Sequence, residues 1–194
     1  MVAVAENKIF LLVLFISGFT SMSYEIVLIR EISIIVGPTE SASALVLSAF
    51  MAGLALGAYI LGNASEKQNP IKLLIIVEIV LALVGLILLP IIRTLAIVES
   101  MFFVFIFSFL LMIIPAFFMG GEIPIVSKIL NRNNKTGANV GAAYASDTIG
   151  GILGSLLSGL FLLPEFGSFR VFAFGSLLNA IGALLIIYRE KLIK

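Results

Sequence analysis

Four acidic side chains lie inside apolar stretches of this sequence, where charged groups are rare: Glu25, Glu78, Glu122 and Asp147. A charged side chain at membrane depth is costly, so it usually faces protein or water and marks a functional pathway. Arg30 is the one base in the same setting, and we group it with the acids as a candidate pathway residue. Protonation or a bound cation relieves the cost of burying carboxylates. The set therefore suits protons, alkali cations or organic amines better than anions.

Each acid also has a purely structural interpretation. Glu25 could pair with Arg30 and lock the first helix. Glu122 and Asp147 could cap or pack beside a broken helix. Glu78 is close enough to a helix end that it could lie in water or at a lipid-facing edge.

Two uncharged polar residues, Tyr24 and Asn179, complete the candidate pathway. Ser17, Ser21 and Glu25 recur every fourth residue, so they form a polar stripe on one helix, with Tyr24 beside it. Asn179 is expected to hydrogen-bond across helices.

The composition bounds the class of protein. Of 194 residues, 61% are hydrophobic and 12% are charged, which is typical of a membrane protein. The absence of Cys and His excludes disulfides, thiolate or imidazole metal sites and a Ser-His or Cys-His nucleophile pair. A net charge of +1 gives no reason to expect nucleic acid. We expect the lipid bilayer as surroundings, no cofactor and no metal.

Six apolar stretches are long enough to span a membrane, since a helical span needs about 20 residues. They cover residues 9–35, 41–62, 71–92, 100–119, 138–163 and 169–188, and the fourth can continue to 130. The fold class expected is therefore an all-α polytopic membrane protein with six transmembrane helices.

The bases predict the orientation, because the side richer in Lys and Arg faces the cytoplasm. Nine bases fall on one side, namely Lys8, Lys67, Lys72, Lys128, Arg132, Lys135, Arg189, Lys191 and Lys194. Three fall on the other, namely Arg30, Arg93 and Arg170. Both termini are predicted to be cytoplasmic. The membrane is predicted to be the cell (plasma) membrane. Three of the four acids then lie toward the cytoplasm, and Glu25 is the outlier.

The two halves of the chain repeat each other at an offset of 97 residues. Met-x-x-Glu-Ile occurs at 22–26 and again at 119–123. In the same register Gly53, Gly57, Gly62 and Gly85 align with Gly150, Gly154, Gly159 and Gly182. Repeats 1–97 and 98–194 would each hold three spans, an odd number, so the second must be inverted. Inverted repeats are a transporter architecture, although a duplication could also survive in a scaffold that transports nothing.

Small residues predict where helices approach or bend. Gly53 and Gly57, and likewise Gly150, Gly154 and Gly159, form ridges suited to close packing first and hinges second. Gly120, Gly121 and Pro124, with Pro115 upstream, predict a discontinuous fourth helix, with a simple kink as the alternative.

Four segments follow a known pattern in order. They are Ser17-Gly-Phe-Thr-Ser-Met-Ser-Tyr-Glu25-Ile-Val-Leu-Ile-Arg30, Leu54-Ala-Leu-Gly57-Ala-Tyr-Ile-Leu-Gly62, Met119-Gly-Gly-Glu-Ile-Pro124 and Val140-Gly-Ala-Ala-Tyr-Ala-Ser-Asp147-Thr-Ile-Gly-Gly151 with its downstream Leu162-Leu-Pro164. They resemble the membrane domain of the membrane-bound spermidine synthase-like (polyamine aminopropyltransferase-like) family. That family joins a multi-span domain, similar to part of a major-facilitator transporter, to a soluble polyamine aminopropyltransferase domain.

The resemblance has a clear limit. The chain ends shortly after its last span, and no segment resembles the glycine-rich nucleotide loop or the acidic amine-binding residues of the soluble domain. We therefore expect one transmembrane domain over 1–194, without a soluble catalytic domain and without aminopropyl transfer by this chain alone. It would be either a stand-alone membrane protein or the membrane part of a longer or separately encoded enzyme.

Two functions follow from the sequence. The first is movement of a small cation, proton or polyamine along the acids, where the polyamine comes from the resemblance alone. The second is a non-transporting anchor or assembly module for an aminopropyltransferase-like enzyme or a larger membrane complex. An enzyme acting within the membrane is the weakest idea, since no nucleophile–base pair supports it. Six spans resemble half of a twelve-helix transporter, so a homodimer or another membrane subunit is expected.

Overall fold

The described part of the chain is helical except for short connections. The computed structural model describes residues 2–37, 40–131 and 136–193, with side chains from 8 to 191 within those ranges. The helices are α1 (Val2–Val36), α2 (Glu40–Lys67), α3 (Pro70–Thr94), α4 (Met101–Leu130), α5 (Thr136–Leu157) and α6 (Leu163–Ile193). Arg132, Lys135 and Lys194, three of the bases that predict the orientation, lie outside the described residues.

Five helical stretches are long and apolar enough to cross a membrane. They are Lys8–Val36, Glu40–Lys67, Pro70–Ile97, Met101–Leu130 and Thr136–Lys191. Helices suit this setting because each satisfies its backbone hydrogen bonds internally. The last stretch, of 56 residues, is interrupted at Gly167, where φ is 75° and ψ is 166°. The prediction of an all-α membrane protein is confirmed, with five such stretches.

Local sequence explains the sharp start of α3. The Asn69 Oδ1 accepts hydrogen bonds from the backbone N–H groups of Ile71 at 3.0 Å and Lys72 at 3.3 Å. Pro70 takes the first helical position, where its missing N–H removes nothing. Asn caps a helix start well because its side chain satisfies amides that have no partner within the helix.

The helices pack in pairs that cross the two halves of the chain. The most extensive contacts join α2 to α4, α1 to α5 and α3 to α6. In addition α1 packs on α6, and α4 packs on α3. Exchanging the first three helices with the last three leaves this pattern of contacts unchanged.

Glycines allow the closest of these contacts. A Cβ at Gly57 of α2 would overlap the carbonyl of Phe117 on α4, and a Cβ at Gly154 of α5 would overlap that of Phe19 on α1. Gly53 and Gly150 make similar contacts one turn away, against Ala116 of α4 and Phe15 of α1. Gly159 differs, because nothing lies within 4 Å of the position its Cβ would occupy. It lies within the π-helix Ser158–Leu162, at a point where an added Cβ would meet open space.

The predicted discontinuity of the fourth span is wrong. Helix α4 is continuous through both Pro115 and Pro124. Gly120 and Gly121 instead provide room for α2, because a Cβ at either one would overlap Leu54 or Leu61. A proline removes one backbone hydrogen-bond donor from its helix. In a transmembrane bundle, neighbouring helices can satisfy the backbone group left without a partner, so the helix need not break.

Substitution of a glycine at a helix contact should destabilise the fold, whereas substitution of a glycine that faces open space should not. We expect Gly154→Ala to lower the free energy of unfolding by about 1–3 kcal/mol, because the new methyl group overpacks the α1–α5 contact. The measurement is the unfolding midpoint of the purified protein in detergent. Gly159→Ala is the matched control and should leave the midpoint close to that of the wild type. Equal effects of the two changes would contradict this account.

Candidate functional site

A groove opens between α1, α2, α4 and α5. Its volume is about 710 Å³. Its polar lining comes mainly from α1 and α5, and its apolar lining from α2 and α4. Its lining residues include Ser17, Ser21 and Glu25 of α1, Gly120 of α4, and Tyr144 and Asp147 of α5. Helices α3 and α6 contribute no lining and form the opposite side of the bundle, called here the back.

The polar stripe predicted on α1 faces this groove. Ser17, Ser21 and Glu25 all line it. Glu25 is only 7% exposed, so its carboxyl is held in the wall. Asp147 on α5 lines the groove from the other side, with its Oδ1 3.0 Å from the position of a Cβ at Gly18. The groove therefore carries two carboxyl groups.

Tyr24 points away from the groove and into the back of the bundle. Its ring stacks on Phe172 of α6, with centroids 4.2 Å apart and planes 9° from parallel. Its hydroxyl donates to the carbonyl of Phe172 at 3.1 Å. Gly85 and Gly175 leave the space that the ring fills. Tyr24 thus lies apart from the acids with which it was grouped.

Two further carboxyls are sealed inside the bundle. Glu78 of α3 is 0% exposed and Glu122 of α4 is 1% exposed. Glu122 accepts a hydrogen bond on Oε2 from the hydroxyl of Ser17. Within the described residues, Oε1 of Glu122 and both oxygens of Glu78 have no hydrogen-bond partner. The lipid-facing interpretation of Glu78 is wrong, because its carboxyl lies against Gly182 of α6, 2.9 Å from where a Cβ would be.

Asn179 lies on the same side of α6, one turn before Gly182. It is 0% exposed. Its Oδ1 is 3.0 Å from the hydroxyl of Thr20, which also lies 2.9 Å from the carbonyl of Ser17. Its Nδ2 has no hydrogen-bond partner among the described residues. Asn179 therefore crosses from α6 to α1, as expected, and keeps a free donor in the interior.

Three of the four acids meet near a single turn of α1. Glu122 contacts Ser17, and Asp147 lies against Gly18. Glu78 approaches the same part of α1 through α6, since its carboxyl lies against Gly182, one turn from Asn179, whose Oδ1 is 3.0 Å from the hydroxyl of Thr20. Glu25 is two turns further along α1, about 12 Å by the helical rise. Glu25 therefore lies apart from the turn of α1 that Glu122 and Asp147 approach.

Arg30 is separate from this cluster. It is exposed, and the described ion pairs do not include one with Glu25. The strong pair is formed one residue later, where Arg93 of α3 donates to Glu31 through Nε at 2.7 Å and Nη2 at 3.0 Å. Sequence reasoning did not assign Glu31 or Arg93 to any pair. The available signal was a base at the end of one span and an acid at the end of another.

Thr20 is the other residue that sequence reasoning missed. Its position three residues after Ser17 places both on one side of α1. Together with Glu122 and Asn179 they form hydrogen bonds linking α1, α4 and α6 through the interior.

The five long apolar helical stretches define a multi-pass membrane protein. The chain belongs to the Major Facilitator Superfamily, whose family model matches residues 10–192. It is 26% identical over 188 residues to polyamine aminopropyltransferase 1 of Streptomyces coelicolor. That match covers 91% of this chain and 33% of the relative, so the chain spans about a third of that protein's length. The family resemblance inferred from the motifs is confirmed. No solved structure gives a significant match.

Removal of the Ser17 hydroxyl should weaken the fold through Glu122. In Ser17→Ala a buried carboxyl oxygen loses its donor, which typically costs about 1–3 kcal/mol. Ser21→Ala, on the same stripe but without a contact to Glu122, is the control and should have little effect. Denaturant unfolding of both variants measures the difference. Similar stability for the two would mean that the Ser17–Glu122 contact contributes nothing.

Proposed function

We propose that this protein moves a small cation, a proton or a polyamine across the membrane, with the groove as its solute path. The observation that carries the proposal is the placement of Glu25 and Asp147 in the groove wall, backed by Glu122 and Glu78 in the interior. Membership of a transporter superfamily supports transport in general. Carboxyl groups attract cationic solutes and repel anions, so the charge of the wall favours a cation.

The polyamine rests on the relative alone. The Streptomyces coelicolor relative is named as a polyamine aminopropyltransferase. Polyamines carry several ammonium groups, and carboxylates bind such groups through charge-assisted hydrogen bonds. Putrescine and spermidine are therefore the first solutes to test.

The proposal includes six crossings arranged as two inverted three-helix repeats. Gly167 divides the stretch Thr136–Lys191 into two parts, each longer than the ~20 residues that a span needs. Packing supports the repeats, since α1 contacts α5 and α6 as α4 contacts α2 and α3. With six crossings and the bias of the bases, both termini face the cytoplasm. The membrane proposed is the plasma membrane.

We further propose that a second copy of the chain covers the groove. Lipid beside Glu25 and Asp147 would be unfavourable, so the open side needs protein or water. A second bundle supplies both protein and water, because two facing grooves would enclose a shared aqueous cavity. Tyr144, which lines the groove and is 61% exposed, would lie at this contact.

An anchoring role is the second candidate, favoured by the identity of the relative. The chain matches a third of a protein named as an enzyme. It could therefore hold a separate aminopropyltransferase-like partner at the membrane without moving a solute.

Uptake into liposomes tests transport. Purified protein should take up labelled putrescine or spermidine saturably, and more strongly with an imposed pH gradient. Glu25→Gln and Asp147→Asn should each reduce uptake about tenfold or more, because a charged hydrogen bond contributes about 1.5–3 kcal/mol and 1.4 kcal/mol is a factor of ten. Tyr24→Phe, at the back of the bundle, is the control and should retain uptake.

The outcomes of this assay separate the two functions. No uptake by folded, inserted protein, with either solute or with protons alone, would contradict transport and favour the anchor. Uptake unchanged in both groove variants would contradict the path.

Cysteine cross-linking tests the second copy. The chain has no cysteine, so one introduced thiol reports a single position. Tyr144→Cys should form disulfide-linked dimers in native membranes under mild oxidation, because the two grooves face each other. Leu184→Cys, on the exposed side of α6 away from the groove, is the control and should stay monomeric. Failure of Tyr144→Cys to form dimers, or its linkage to a different protein, would contradict the homodimer.

A further inference from the structure

Glu78 and Glu122 differ from the acids of the groove because water does not reach them directly. Neither lines the groove, and each is at most 1% exposed. Three of their four carboxyl oxygens have no hydrogen-bond partner within the described residues. An ionised carboxylate without a partner in such a site costs several kcal/mol, whereas a protonated carboxyl is neutral.

The described groups that contact the pair or its neighbours on α1 and α5 are acidic or neutral. Asp147 of α5 lies against Gly18 of α1, next to the Ser17 that contacts Glu122. Helix α1 contributes the neutral hydroxyls of Ser17 and Thr20.

Helix α6 faces Glu78 with Gly182 and, one turn earlier, with the neutral amide of Asn179. Its base Arg189 lies two turns beyond Gly182. The Arg189 guanidinium is directed to α1, over the ring of Phe10, with 4.2 Å from Cζ to the ring centroid.

Two carboxyls that share a buried site cannot both be ionised without strong repulsion, and one proton removes most of it. We propose that Glu78 and Glu122 form a proton-binding pair that holds at least one proton at neutral pH, separate from the groove acids Glu25 and Asp147.

Ser17 connects this pair to the groove. Its side chain lines the groove, and its hydroxyl donates to Oε2 of Glu122. A proton can enter when Ser17 passes its hydroxyl proton to Glu122 and takes another on Oγ from a hydronium in the groove. The number of protons on Ser17 is unchanged, and the pair gains one. Loss of the proton follows the same steps in reverse.

The inference rests on the proposed function for its purpose, since a stored proton would couple a pH gradient to a solute in the groove. The binding of the proton, however, can be measured without any transport. Glutamine is the matched substitution, because it has nearly the shape of a protonated glutamate and no charge.

Infrared difference spectroscopy of the whole protein in lipid bilayers tests the pair. The wild type should retain the carbonyl stretch of a protonated carboxyl at neutral pH and lose it only in alkali. The double variant Glu78→Gln, Glu122→Gln should lose this band. The double variant Glu25→Gln, Asp147→Asn is the control and should keep it. A wild type without the band, or a band that survives in the Glu78, Glu122 variant, would overturn the proposal.

Ser17→Ala provides a second measurement in which both glutamates are kept. After a pH jump, the carbonyl band of the protonated carboxyl should change at least tenfold more slowly in the Ser17→Ala variant than in the wild type. An unchanged rate would overturn the role of Ser17. If the band behaves as described and no uptake is found, the proposed function fails and the proton site stands. If uptake is found without the band, the proton site fails alone.

Discussion

The close approach of helix backbones is the constraint on which the rest of the structure depends. Helix α5 lies against α1 at Gly150 and Gly154, and α2 lies against α4 at Gly53 and Gly57. Any larger side chain there would push the helices apart. The same contact brings the backbone of Asp147 against Gly18, which places that acid beside the turn of α1 that holds Glu122. Glycine thus determines the distance between the acids, although it carries no chemistry itself.

The bundle has two sides with different polar character. The side formed by α1, α2, α4 and α5 holds the groove with its carboxyls and hydroxyls. The back is filled mainly by the ring of Tyr24 on Phe172 and by apolar side chains, with Glu78 and Asn179 as its enclosed polar groups. Helix α1 takes part in both, since Ser17 and Glu25 face the groove and Tyr24 faces α6. A single rigid helix therefore couples the groove to the interior.

Much of the fold could be predicted because long apolar runs have few alternatives in a membrane. The expected spans agree with the helices to within a few residues at most ends, and the repeated glycines do lie at helix contacts, apart from Gly159. The continuity of α4 could not be predicted, because a Gly-Gly pair followed by Pro usually indicates a helix break. That these glycines make room for α2 is known only from the packing of the two helices.

The site was harder to predict because helices with apolar residues on every face give no signal of which face turns inward. Glu78 is about 12 Å from the start of α3 by the helical rise, which is compatible with an interface. Only the packing of α6 at Gly182 reveals that it is enclosed. Tyr24 and Glu25 are neighbours in sequence, yet their side chains belong to opposite sides of the bundle. Tertiary packing, absent from one sequence, decides both cases.

The two ion pairs given above lie at opposite ends of the described bundle, Glu31 with Arg93 where α1 and α3 end, and Glu66 with Lys128 where α2 and α4 end. On α1, Lys8 and Arg30 are about 33 Å apart by the helical rise, close to the ~30 Å hydrocarbon thickness of a typical bilayer. These charges therefore set the depth at which the protein sits. A thicker or thinner bilayer has to deform around the bundle or tilt it, at a cost of fractions of a kcal/mol per Å of hydrophobic mismatch. Lipid chain length thereby becomes a variable that changes how far these charged ends lie from the headgroups.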